Sequence, residues 1–160
     1  MKVRFLILAF VALLAIGGSI STQAAAGTTF TAHLTSGQEV QTPAVASNAQ
    51  GEAIFHLSPD GTELSYKLIV ANIHDVLFAH IHMAPAGENG QVVAFLYHGP
   101  TISGRTQGIL AQGTITASDL VGPLAGFALS DLVSAIESGN AYANVHTTAH
   151  PMGEIRGQIK

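Results

Sequence analysis

The chain has 160 residues, 48% of them apolar and 10% charged, with a formal charge of −4, eight histidines and no cysteine. At roughly 150 residues per domain this is one domain, with or without an appendage. The missing cysteines exclude a disulfide framework, a thiolate zinc finger, an iron–sulfur cluster, a blue-copper thiolate and a thiol nucleophile, and the lack of any basic run argues against a nucleic-acid binder.

In chain order, residues 1–26 read as a secretory leader. Lys2 and Arg4 flank the start of an unbroken apolar run over 5–16, and Ala24-Ala25-Ala26 before Gly27 supplies an Ala-x-Ala cleavage pattern. The run is shorter than the roughly 20 apolar residues of a spanning helix, so no membrane span is expected after cleavage. The expected product is a secreted or periplasmic domain over 27–160, with four basic and ten acidic side chains.

Beyond the leader, Gly, Pro, Asn and Asp punctuate short β-type runs. They predict strands over 28–35, 51–57, 64–72, 78–83, 92–97, 108–116, 141–147 and 154–160. Alternation is clean in several: Phe30, Ala32 and Leu34 share one face, as do Leu64, Tyr66, Leu68 and Val70. Asp60-Gly61 marks a hairpin, and Gly87-Glu88-Asn89-Gly90 a second turn. Ser130 as N-cap, apolar spacing over 131–136 and a Gly139-Asn140 stop predict one short helix. Short antiparallel strands at this spacing imply an all-β fold, a Greek-key sandwich or barrel.

The chemistry lies in the histidines, which outnumber the six Lys and Arg residues. In a strand, His80-Ile81-His82 places two imidazoles on one face about 6–7 Å apart, close enough to converge on one ion at about 2.0–2.1 Å from each nitrogen. Ala79, Ile81 and Met83 then face the core. In Tyr142-Ala143-Asn144-Val145-His146, Ala143 and Val145 face the core and Tyr142, Asn144 and His146 face away from it. His150, four residues on in a Pro-containing turn, is the expected fourth ligand, with His98 at the end of its strand as the alternative.

His33, His56 and His74 have no partner at useful spacing, and Glu39, Asp75 and Glu88 read as solvated loop carboxylates. Arg156 is expected to hold the turn between His146 and Pro151, since a guanidinium bridges several acceptors at once. An all-imidazole set suits copper or zinc rather than magnesium or calcium. No nucleophile–base triad and no phosphate loop is legible, so no catalytic residue is assigned.

These motifs resemble a known family. Ala79-His80-Ile81-His82 with Ala84-Pro85-Ala86-Gly87-Glu88-Asn89-Gly90 is similar to the first signature of CHRD domains, the modules named after chordin. Tyr142-Ala143-Asn144-Val145-His146-Thr147 with Pro151-Met152-Gly153-Glu154-Ile155-Arg156-Gly157-Gln158-Ile159 is similar to the second, and the stretch from Thr31 to Val40 to the usual opening. The resemblance implies a β-sandwich module, immunoglobulin-like or copper/zinc superoxide dismutase-like, in an exported protein. His-x-His plus a later strand histidine also resembles the copper-binding part of those dismutases, without their cysteines.

The expected function is therefore an exported domain binding a transition metal, copper ahead of zinc, through His80, His82, His146 and His150. Two alternatives stand beside it: a ligand-free structural or protein-interaction module, and a dismutase-like enzyme. No protein partner is indicated.

Overall fold

The structure, a computed structural model, describes residues 27–160; the expected leader over 1–26 lies outside the described residues. Seven strands form one antiparallel sheet: β1 Thr29–Thr35, β2 Gln50–Leu57, β3 Leu64–Met83, β4 Gln91–Tyr97, β5 Ile102–Ile115, β6 Tyr142–Thr147 and β7 Ile155–Gln158. The order β2-β1-β7-β6-β3 closes on itself because β2 also pairs with β3, making a five-stranded barrel. β4 and β5 extend the sheet from the other edge of β3, β5 along Leu64–Val76 and β4 along Ala79–Met83.

The two strands expected over 64–72 and 78–83 are one strand of 20 residues. In place of the gap expected after residue 72 the chain bends at Asn72 and Asp75, with φ of 56° and 51°, where the register of β3 against β5 shifts. Asn and Asp tolerate this left-handed conformation better than other non-glycine residues. The chain thus turns a corner without leaving the sheet. The bend lets the first half of β3 pair with β2 and the second half with β6.

Alternation places the core as expected. Ala32, Leu34, Phe55, Leu68, Ile81, Ala143, Val145 and Ile155 are fully buried inside the barrel wall. Helix α1 (Leu129–Glu137) adds Leu132 and Ile136 to the same cluster. Its start differs from expectation: the cap is Ala128, whose N–H donates to Asp131 Oδ2 at 3.0 Å, and Ser130 lies inside the first turn. Its end is as read, with Gly139 at φ 71°. The barrel is sealed where β1 meets the far end of the chain, Thr31 N–H donating to Lys160 O at 2.8 Å and Lys160 N–H to Thr31 O at 2.9 Å. Among the described residues no helix is long and apolar enough to cross a membrane.

Candidate metal centre

On the outer face of the barrel, β3, β6 and β7 carry polar side chains back to back with the core. Cross-strand register sets Phe78 opposite His146, His80 opposite Asn144, and His82 opposite Tyr142, with Arg156 of β7 on the far side of Asn144. The face is outward as the sequence predicts, yet it is not open to water. All six residues of β6 are buried, His82 and His146 each 9% exposed and Asn144 3%.

Two covering segments account for this. The turn between β3 and β4 is tied down by Arg156, whose guanidinium donates to Pro85 O at 3.2 Å and Asn89 Oδ1 at 3.4 Å while stacking on Tyr142 at 3.4 Å. Gln158 Nε2 adds a bond to Ala84 O at 3.0 Å. The segment after β1 is fixed by Asn144 Nδ2 donating to Glu39 Oε1 at 2.6 Å and Gln41 Nε2 donating to Gly153 O at 2.8 Å. Asn89 Nδ2, donating to Val40 O at 2.9 Å, links the two covers.

Arg156 therefore holds the 84–90 turn and not, as expected, the turn between His146 and Pro151. That second turn is held by Glu154, which accepts from Thr147 Oγ1 and Ser47 Oγ, each at 2.6 Å.

Beneath these covers His80, His82 and His146 converge, each offering one ring nitrogen, and those three atoms lie within 4.8 Å of one another. His82 Nδ1 lies 3.0 Å from Gly90 O, and His146 Nδ1 lies 3.0 Å from Pro151 O. A carbonyl only accepts, so both Nδ1 atoms carry the proton and both Nε2 atoms of the neutral rings are bare lone pairs. His146 Nε2 meets His80 Nδ1 at 3.2 Å. His82 Nε2 is buried with no partner at all. Donors around one tetrahedral ion stand about 3.4 Å apart at ordinary metal–nitrogen lengths, so an ion needs only a modest contraction of the trio.

Burial holds His80 down to about 3, helped by the like charge its neighbours His146, His82 and His98 would carry. Burial also lowers His82 and His146, against the opposing pull of the Gly90 and Pro151 carbonyls. All three rings are therefore neutral, the form that ligates.

The remaining sequence candidates fall elsewhere. His150 does not join the trio: it lines a separate hollow with His74, Asp75 and Arg105, and its backbone serves the turn. His98 is exposed, its ring 5.3 Å from that of Phe95, which in turn meets His80 edge-on at 5.0 Å. Glu39 is not a solvated loop carboxylate. It is half-buried over the site and pushed up to about 7 by burial, against the lowering effect of Gln41, Arg156 and Asn144. Its role was invisible in the sequence because Asn144 and Arg156, the partners that set it over the site, lie over a hundred residues away. Asp75 accepts from Gly104 N–H at 2.7 Å, while Glu88 is exposed.

Fold and site together define a small all-β module with an imidazole trio roofed over on the outer wall of its barrel. The chain belongs to the CHRD domain family, whose model matches residues 30–159. No curated protein and no solved structure matches it.

Proposed function

We propose that this is an exported metal-binding domain whose trio of His80, His82 and His146 takes one transition-metal ion, Cu(II) ahead of Zn(II), in binding, storage or handling of that metal. The observation that carries this reading is the convergence of three neutral imidazoles in which His82 Nε2 is a buried lone pair with nothing to accept. An unsatisfied buried acceptor is costly, and an electron-pair acceptor such as a metal ion removes that cost. Imidazole donors favour copper and zinc over oxygen-seeking ions, and copper stands above zinc in intrinsic affinity. Export is supported by the basic, apolar and Ala-x-Ala pattern of residues 1–26.

Calorimetric titration of the protein with Cu(II) and Zn(II) tests this directly. Because two of the ligands lie on β3 and one on β6, His146→Ala is expected to weaken binding well over tenfold, more than ~1.4 kcal/mol. Metal should raise the melting temperature of the wild type and not of the variant, since the ligands meet only in the folded state. Equal binding by both proteins sinks the reading and leaves the ligand-free module, whose histidines serve only to bond the covering turns. Superoxide dismutation by the copper-loaded protein would instead establish the enzyme reading.

A further inference from the structure

Among the described residues only two buried side-chain atoms lack a hydrogen-bond partner, His82 Nε2 and Asn144 Oδ1. They belong to neighbouring strands on the same outer face. Asn144 is opposite His80 in the β3–β6 register and two residues from His146, so the pair Asn144-x-His146 repeats on β6 the spacing of His80-x-His82 on β3. The four side chains occupy the corners of one parallelogram on the sheet. Both orphaned atoms are acceptors, so no rearrangement between them makes a bond; each wants the same kind of partner.

The amide's orientation is set from behind. Its Nδ2 donates to Glu39 Oε1 at 2.6 Å, which turns Oδ1 away from Glu39. Rotating the amide over would set its oxygen against the Glu39 carboxylate. Gly153 closes the space behind this pair: at φ 126°, a Cβ there would stand 2.6 Å from Asn144 Nδ2 and 2.7 Å from Glu39 Oε1. Such support behind a donor is what fixes ligand direction in metal sites.

We propose that Asn144 Oδ1 is the fourth donor of the centre, held in place by Glu39, so that the ion is bound by three imidazole nitrogens and one amide oxygen. This rests on the trio reading above and sharpens it. A hard oxygen in the set favours a divalent first-row ion, Cu(II) or Zn(II), over Cu(I), which seeks sulfur. It also replaces the fourth ligand that sequence spacing assigned to His150.

The test compares Asn144→Ala, Glu39→Gln/Asn144→Asp and His146→Ala with the wild type, titrating Cu(II), Zn(II) and Cu(I) and recording the electron paramagnetic resonance spectrum of the Cu(II) forms. Asn144→Ala should weaken Cu(II) and Zn(II) about tenfold or more, leave Cu(I) within about twofold, and change the Cu(II) hyperfine pattern. The double variant keeps an oxygen donor at 144 and a hydrogen bond to position 39, so it should restore divalent binding to at least the wild-type level. Its result decides the matter should Asn144→Ala fail to fold. Wild-type Cu(II) affinity and spectrum in Asn144→Ala, alongside lost binding in His146→Ala, overturn the fourth donor and leave the trio standing. Equal losses for Cu(I) and Cu(II) in Asn144→Ala, or no recovery in the double variant, also overturn it, as marks of a merely structural asparagine. Undiminished binding in His146→Ala overturns the trio itself.

Discussion

Arg156 is 2% exposed and directs its guanidinium to loop acceptors and the Tyr142 ring, within the electrostatic reach of the Glu39 carboxylate. Arg156→Ala strips the 84–90 turn of two bonds, empties the space of a buried side chain stacked on Tyr142 and removes the positive charge facing Glu39, so a loss of about 3 kcal/mol is expected in urea unfolding. Gly153→Ala forces a Cβ into the Glu39–Asn144 pair from a backbone angle that alanine rarely adopts, and should cost about 1–3 kcal/mol by the same measurement. The acid limb of stability follows from the depressed imidazoles. Below pH 6.5 the unfolded chain takes protons that folded His80, His82 and His146 refuse, so metal-free stability drops as pH falls from 6.5. Glu39 acts in the opposite sense: its folded carboxyl is protonated between 4.5 and about 7, adding stability as pH falls through that window. Between pH 7 and 5 the loss at His80, held to about 3, offsets the gain at Glu39, and the lowering of His82 and His146 tips the balance, so the urea midpoint should be lower at pH 5 than at pH 7, and Glu39→Gln should widen the gap. A midpoint that rises on acidification contradicts the assignment. For the same reason protons should compete with metal only below the ordinary imidazole range.

At the scale of elements, the strand alternation that placed His80, His82, Asn144 and His146 on one face was legible in residues 79–83 and 142–146, because side-chain direction in a strand is a local property. What covers that face was not. Glu39, Gln41, Asn89 and Arg156 meet it from three different segments, and no periodicity encodes such partners. The twenty-residue β3 was misread as two strands for a related reason: Asn72 and Asp75 are turn formers locally, and only pairing with β5 on either side of the bend keeps them in the sheet. Asn72→Val puts a β-branched residue at φ 56° and removes the amide that Arg105 Nη2 donates to, so a loss of about 1–2 kcal/mol in urea unfolding is expected. Four strands lean on β3: β2, β4, β5 and β6. Amide exchange in Leu64–Ala71 and in Ala79–Met83 should accordingly report one shared opening event, and separate rates for the two halves would show that the bend is a true break.

For the whole molecule, class and core were readable from composition, punctuation and alternation, and the family signatures from their own residues; barrel closure was not, because it depends on which strands find each other across long separations. β1 and β7 lie at opposite ends of the barrel's sequence, and their union at Thr31, Thr35, Arg156 and Lys160 completes the wall. β7 also brings Arg156, which pins the cover over the trio. This gives synthesis a direction. Until β7 has left the ribosome, β1 and β6 present open edges and the roof over the histidines has no anchor, so a nascent chain stalled before Ile155 should be digested by protease at the rate of an unfolded polypeptide. A barrel that cannot close before β7 is made stays open, and so threadable through a narrow passage, until that strand has been added.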